Sequence, residues 1–187
     1  MTKVELRKKY KTLRNKLSET DVDELSLAIA NQLLKLPIWQ YSFYHIFLSI
    51  KEHKEVNTDF ILNILLGKDK NSIISKSDFK TRQMTHYLLT DSTIIKKNAY
   101  QIPEPVNGIE VLNDKIDVVF IPLLAFDKTG HRVGYGKGFY DMFLSECKPK
   151  TIKIGLSFFK AEELIADVFE SDIKLDYCVT PEKVYQF

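Results

Sequence analysis

The sequence predicts an α/β fold, with a largely parallel central sheet flanked by helices and an N-terminal helical pair packed on it. Three observations carry this. Short apolar, β-rich runs alternate with helical patterns along the chain, which is the order of a parallel sheet with helical crossovers. The longest such run, DVVFIPLLAF at 117–126, is apolar almost throughout, as expected of a strand covered on both faces. The first 36 residues instead carry two apolar stripes at helical spacing.

The elements follow in order. Leu6, Tyr10, Leu13 and Leu17 recur at steps of four, three and four, so residues 3–17 read as a helix. Lys3, Arg7, Lys11 and Arg14 form a parallel basic stripe beside them. Taken alone, that stripe reads as a solvated face. Ser18-Glu19-Thr20-Asp21 offers capping side chains for a second helix with Val22, Leu25, Ile29, Leu33 and Leu36 on one side, ended by Pro37. YHIFLSI at 44–50 reads as a buried strand and KEHKEVN as a polar loop. Thr58 is placed to cap a helix through Phe60, Ile61, Ile64 and Leu65 that Gly67 closes.

Residues 72–75 and 84–90 read as short strands. The prolines of IPEPVNG argue for an ordered loop there rather than an element. After the 117–126 strand come a turn at DKTGHR, a glycine loop and a helix over FYDMFLSEC. TIKIGLSF then reads as a strand, AEELIADVF as a helix and DYCVT as the final strand. No repeat or linker divides the chain, so residues 1–187 are expected to form a single domain.

The chemistry concentrates in GYGKGFYD at 134–141. Three of the chain's seven glycines fall at Gly134, Gly136 and Gly138. A strand, a glycine loop and a helix N-terminus together make an anion site, because free N–H groups and the helix dipole point the same way. Lys137 adds a cation within the loop, so phosphate is the natural ligand. Neither common nucleotide loop fits. A Walker A loop needs a glycine where His131 stands and a hydroxyl residue where Gly138 stands. The dinucleotide fingerprint needs G-x-G-x-x-G near the first strand, whereas G-x-G-x-G occurs here, late in the chain. Asp141 just beyond the loop would repel phosphate unless a cation lay between them, and magnesium is the usual one. Asp176, before the last strand, is a candidate second carboxylate.

PLLAFDKTGHRVGYGKGFYD at 122–141 resembles the signature of the 5-formyltetrahydrofolate cyclo-ligase family, also called 5,10-methenyltetrahydrofolate synthetases. Other landmarks of that family occur in order. They are Lys3-x-x-Leu-Arg7, Leu48-Ser49 followed by Glu55 to Thr58, the Ile102 to Pro105 loop, and Asp176. The resemblance covers essentially the whole chain. It implies an enzyme that closes 5-formyltetrahydrofolate to 5,10-methenyltetrahydrofolate with ATP as co-substrate and Mg2+ as cofactor, releasing ADP and phosphate by way of a phosphorylated formyl oxygen.

By the same resemblance Lys3, Arg7, Arg132, Gly134, Tyr135, Gly136, Lys137, Gly138, Phe139 and Tyr140 would bind ATP. Leu48, Glu55, Tyr135, Gly136, Lys137, Gly138 and Phe139 would bind the folate. Lys137 and Arg132 would be catalytic, and Asp141 and Asp176 would hold magnesium. In the 51–57 loop Glu52 stands as an alternative to Glu55. Lys76 stands where relatives often carry arginine, which would supply charge without a bidentate fork.

Two rivals remain open on residues alone: another phosphotransferase using the same anion loop, and an RNA-associated module presenting the basic stripe of the first helix. The net charge of +2 and the lack of RNA-type aromatic motifs weigh against the second. Cys147 and Cys178 lack paired spacing, so neither a disulfide framework nor a zinc site is indicated. No apolar run approaches the ~18 residues that span a bilayer. No hydrophobic signal core opens the chain. A cytoplasmic monomer without nucleic-acid or membrane partners is expected.

Overall fold

The computed structural model describes residues 1–187. The chain opens with two helices, α1 (Lys3–Asn15) and α2 (Glu19–Leu33). Each begins with a reciprocal cap: Thr2 with Glu5, and Ser18 with Asp21. Strand β1 (Phe43–His45) leads through a 3-10 turn to α3 (Asp59–Gly67) and then to the hairpin of β2 (Asn71–Ser77) and β3 (Met84–Leu88). A small ribbon of β4 (Ile95–Lys97) and β5 (Pro103–Pro105) follows. Next come β6 (Val118–Pro122), β7 (Ala125–Phe126), β8 (Arg132–Val133), α4 (Phe139–Glu146), β9 (Ile152–Leu156), β10 (Tyr177–Val179) and β11 (Val184–Gln186).

Seven strands form one sheet in the order β11-β10-β9-β6-β1-β2-β3. The inner strands from β10 to β2 run parallel, and β11 and β3 pair antiparallel at the two edges. The predicted α/β class with a largely parallel sheet is therefore the observed one. One apolar cluster lies between the sheet and α2 and α3, built on Tyr44, Ile29, Leu33, Ile61 and Phe120. A second, under α4, joins Ile73, Val119, Ile121, Phe126 and Phe143. A third seats α1, through Leu6 and Tyr10, on Leu124, Ala125 and Val133. No helix is long and apolar enough to cross a membrane. Both cysteines are free thiols, and Cys178 lies in the core, where burial pushes its thiol up.

Several expectations need correction. The run 44–50 pairs only as far as His45. Beyond Ile46 the chain leaves the sheet, because Thr58 Oγ1 donates to the Phe47 carbonyl (2.8 Å) and Ser49 Oγ to the Val56 carbonyl (2.6 Å). Thr58 is thus spent on the turn and does not cap α3 with its side chain. The 117–126 run is two strands, since the chain turns after Pro122 and β7 pairs with β8. IPEP does form a strand: Glu104 sits opposite Lys96, with both prolines in the β4–β5 ribbon. The final β11 was not anticipated.

AEELIADVF is not helical. Its backbone is claimed from elsewhere. Glu162 N donates to the Phe126 carbonyl (2.8 Å), Ile165 N to Asp127 Oδ2 (3.0 Å) and Ala166 N to the Met1 carbonyl (2.9 Å). Asp127 is fully buried. Burial opposes its charge, but the N–H groups of Ile165, Thr129 and His131 outweigh that and hold its carboxyl below the usual range. This conserves a charged aspartate as an anchor for two loops.

Candidate active site

A cleft of about 560 Å³ opens at the C-terminal ends of the parallel strands, where open α/β sheets bind ligands. Its floor is Phe47 and Leu48 after β1, Ser75 and Ser77 of β2, and Pro122 of β6. One wall is Lys3 and Arg7 of α1, and the opposite wall is Phe79, Tyr100, Ile102 and Pro103. The glycine loop from Gly134 to Gly138 and the first turn of α4 cross its middle.

The loop has the character of an anion cradle. No backbone N–H from Gly134 through Asp141 donates to an acceptor in the protein. Gly138 caps α4 in a left-handed conformation (φ 76°), so the loop's N–H groups lead directly into the open helix start. Gly136 also has a positive φ of 90°, and a Cβ there would lie 3.1 Å from Arg7 Cζ. Its glycine therefore clears the Arg7 guanidinium as well as any ligand. Arg7 Nε in turn donates to the Gly134 carbonyl (2.9 Å). Lys137 is exposed at the cleft and makes no ion pair within the protein.

The basic stripe of α1 is not a solvated face. Lys3 is 8% and Arg14 3% exposed, and only Lys11 of the four points outward. Lys3 pairs with Asp172, and its ammonium also lies 4.8 Å from the Phe169 ring centroid. Burial resists the charge on Asp172, yet Lys3 and the Phe169 N–H hold its carboxyl below the usual range. Arg132 Nη2 donates to Asp141 Oδ1 (2.7 Å), and Nη1 to the Ile173 carbonyl. Burial lowers the Arg132 pKa while Asp141 opposes that shift. The cleft thus carries two cation–carboxylate pairs side by side.

Glu55 is 4% exposed and faces the cleft. Its Oε2 accepts from Ile50 N (2.8 Å) and its Oε1 from the Tyr135 hydroxyl (2.6 Å). Glu52, the alternative in that loop, is turned to solvent and pairs with Lys97 at 2.5 Å. Tyr135 and Tyr140 both have their phenol pKa pushed up by burial, with the Glu55 carboxylate adding to it. Phe139 packs edge-on against Phe79, with ring centroids 5.0 Å apart.

Of the expected residues, Lys3, Arg7, Leu48, Glu55, Arg132, Gly134 to Tyr140 and Asp141 all meet in this cleft. Asp176 does not. Its Oδ2 accepts from Lys153 N (2.7 Å) and from Lys153 Nζ (2.8 Å), at the N-terminal ends of β9 and β10, the opposite end of the sheet from the cleft. The carboxylate beside Asp141 is Asp172 instead. Lys76 also points away: alternation along β2 turns Ser75 and Ser77 to the cleft and leaves Lys76 exposed. The sequence reading missed Asp172, Phe169, Phe79, Tyr100 and Arg14. Only Arg14 had left a signal, as a member of the basic stripe.

The model of the 5-formyltetrahydrofolate cyclo-ligase family matches residues 1–181. The chain belongs to that family. The resemblance drawn from the 122–141 signature, and the folate cyclo-ligase enzyme it implied, are borne out. A mouse 5-formyltetrahydrofolate cyclo-ligase is 32% identical over 144 residues, 70% of this chain and 69% of its own. A probable cyclo-ligase of Schizosaccharomyces pombe is 29% identical over 202 residues, covering 98% and 97%. Among solved structures, the 5,10-methenyltetrahydrofolate synthetase of Aquifex aeolicus superposes with a TM-score of 0.83 at 32% identity, covering 100% of this chain and 93% of that one. A Mycoplasma pneumoniae synthetase shares the fold at a TM-score of 0.77 and 23% identity. The cyclo-ligase family signature itself can now be read physically. Asp127 anchors loops, Arg132 holds Asp141, and the glycines open the cradle.

Proposed function

We propose that this cyclo-ligase converts 5-formyltetrahydrofolate to 5,10-methenyltetrahydrofolate with Mg2+ and ATP, phosphorylating the formyl oxygen and releasing ADP and phosphate. The observation that carries the reading is the run of unpaired N–H groups from Gly134 through Asp141, with the unpaired cation of Lys137 among them and the buried carboxylate of Glu55 across the cleft. One side suits phosphate and the other suits the N–H donors of a pterin.

A formamide oxygen is a poor leaving group. When the γ-phosphoryl passes to that oxygen, the O–Pγ bond to ADP breaks and the formyl carbon becomes electrophilic. N10 then attacks that carbon, the C–O bond breaks, phosphate leaves and the N10 proton is lost. Such transfer needs positioning and charge neutralisation more than a nucleophile. Lys137 and the loop N–H groups stabilise charge that grows on the transferring group. Lys3 and Arg7 extend the cationic wall towards the rest of the triphosphate. Leu48 and Phe139 bracket the folate, and Glu55 accepts from it.

The donor set fits magnesium of the phosphate-bridged kind. Asp141 Oδ1 is taken by Arg132 and Ile173 N, while Oδ2 has no partner in the protein. Asp172 likewise keeps Oδ1 free. One or two such oxygens are what Mg2+ takes from a protein when phosphates and water supply the rest. Bound there, magnesium would supply charge neutralisation for the phosphates. Arg132 fixes the rotamer of Asp141, so its catalytic role is exercised through that carboxylate.

The test is the near-ultraviolet absorbance of the methenyl product. It should grow only when protein, ATP, Mg2+ and 5-formyltetrahydrofolate are all present. A folded protein that gives no such growth would refute the reading.

A further inference from the structure

We propose that Arg14, buried on α1 with no contact to either reactant in the reading above, is a positioning residue that sets the folate-facing carboxylate of Glu55 through the hydroxyl of Tyr135. The proposal takes from that reading only what Glu55 binds.

The geometry is a directed chain. Arg14 Nη1 donates to the Tyr135 hydroxyl oxygen (2.8 Å), and Nη2 donates to the Leu123 carbonyl. A guanidinium can only donate, so it occupies an oxygen lone pair of Tyr135 and leaves the phenol's single proton for another partner. That partner is Glu55 Oε1 at 2.6 Å. Glu55 Oε2 is pinned separately by Ile50 N at 2.8 Å. Both carboxylate oxygens are therefore fixed as acceptors, and their remaining lone pairs are what the cleft offers a ligand's N–H groups.

The anchor is needed because of where Tyr135 sits. It lies between Gly134 and Gly136, in a loop whose N–H groups have no partner in the protein. The backbone cannot hold the ring in place, but a cation on a rigid helix can. Arg7 and Arg14, seven residues apart on one face of α1, hold adjacent points of this loop, at the Gly134 carbonyl and the Tyr135 hydroxyl.

A purely structural role explains Arg14 less well. A staple to Leu123 alone would need one donor, whereas Arg14 is 3% exposed and its Nε is buried without a partner. Keeping a guanidinium under that penalty, where an apolar side chain would pack as well, implies a use for its second arm.

The test compares wild type, Arg14→Met, Arg14→Lys, Tyr135→Phe, Glu55→Gln and the double variant Arg14→Met/Glu55→Gln in the full chain. Folate and ATP KM come from turnover, and the dissociation constant for 5-formyltetrahydrofolate from calorimetry. Losing one hydrogen bond to a charged partner predicts a ~10-fold weaker folate interaction for Arg14→Met, with under ~3-fold change in the ATP KM. Lysine, reaching Tyr135 with one head, restores part of the loss. In the double variant Arg14→Met adds nothing beyond Glu55→Gln, because its effect runs through that carboxylate.

Arg14→Met that lowers the melting temperature but leaves folate affinity unchanged would overturn the proposal. So would losses that multiply in the double variant. If Arg14→Met does not fold, Tyr135→Phe decides. It keeps the Leu123 bond and removes only the bridge, and unchanged folate affinity there also refutes the relay. Absent wild-type turnover would count against the proposed reaction, while the calorimetric comparison still judges the relay.

Discussion

The Tyr135 hydroxyl donates to Glu55 Oε1 at 2.6 Å, tying the glycine loop after β8 to the loop after β1. A residue of the glycine loop is thereby joined to the buried carboxylate that lines the same cleft. Glu55→Ala would remove the acceptor for a ligand and leave the Tyr135 hydroxyl proton and the Ile50 N–H without an acceptor. Folate affinity should fall at least ~10-fold, with a smaller change in the ATP KM. Glu52→Ala, removing only an exposed pair with Lys97, should leave both unchanged. Steady-state titration of each substrate checks both.

Lys137 is exposed and unpaired, so its loss should not disturb the fold. Lys137→Ala is expected to lower kcat by about 10²–10³, the worth of one well-placed charge donor at a developing transition state, and to leave the thermal midpoint within a degree or so of wild type. Single-turnover measurement of product formation, beside a melting curve, separates the two. An unchanged single-turnover rate would remove Lys137 from the transferring phosphoryl group.

Gly136→Ala tests the loop's geometry rather than its charge. At a φ of 90° an L side chain is strained, and the new Cβ would press on Arg7 Cζ at 3.1 Å. The strain alone costs about 1–2 kcal/mol. Relief would come by moving Arg7 off the Gly134 carbonyl or by flattening the loop, and either disperses the N–H groups. Turnover should therefore fall far more than stability does. Equal proportional loss in both would mean that the glycine serves only the fold.

Most of the fold was legible because it rests on periodicity. The α1 stripe, the capping of α2 and the β9 run each match one period and one burial direction. AEELIADVF failed for a different reason. Its helical pattern is real, but the buried Asp127, the Phe126 carbonyl and the Met1 carbonyl, all remote in sequence, claim the backbone groups a helix would use. The basic stripe shows the same limit at the site. Spacing put Lys3, Arg7 and Arg14 on one face, but could not say that this face turns inward. Asp172 and Phe169 lie in irregular chain with no spacing to mark them. Asp176 had the right residue type at the wrong end of the sheet.

Asp141 combines two roles that one substitution can separate. As the partner of the buried Arg132 it contributes stability, and its free Oδ2 suits magnesium. Asp141→Asn keeps an acceptor and removes the charge. The fold should lose about 1–2 kcal/mol, less than a fully buried pair would cost, because Asp141 is 38% exposed. The Mg2+ concentration for half-maximal turnover should rise ~10-fold or more. Asp176→Asn should leave that midpoint where it is. Equal magnesium curves for wild type and Asp141→Asn would remove Asp141 from the metal site.

The buried histidines beneath α4 should give the protein a specific acid sensitivity. Neither ring nitrogen of His45 or His86 has a hydrogen-bond partner, and the two rings meet edge-on at 5.1 Å between centroids. They face Tyr140 and Phe143 of α4, and no carboxylate pairs with either. Burial pushes His86 down from 6.5 to about 4, and burial together with the neighbouring His86 holds His45 well below 6.5. Between those values the unfolded chain binds a proton that the folded chain refuses. His86's contribution is therefore complete above about pH 6.5, declines as pH falls, and is gone by about pH 4. At 1.36 kcal/mol per unit this is about 3 kcal/mol. The lowered carboxylates Asp127 and Asp172 act in a separate window, below their ordinary 3.8. Denaturant midpoints measured from pH 7 to pH 4 should fall steadily in wild type. His86→Leu, which replaces a neutral ring by an apolar side chain, should be at least as stable at pH 7 and should show a shallower fall. An undiminished slope in that variant would mean that the acid sensitivity arises elsewhere.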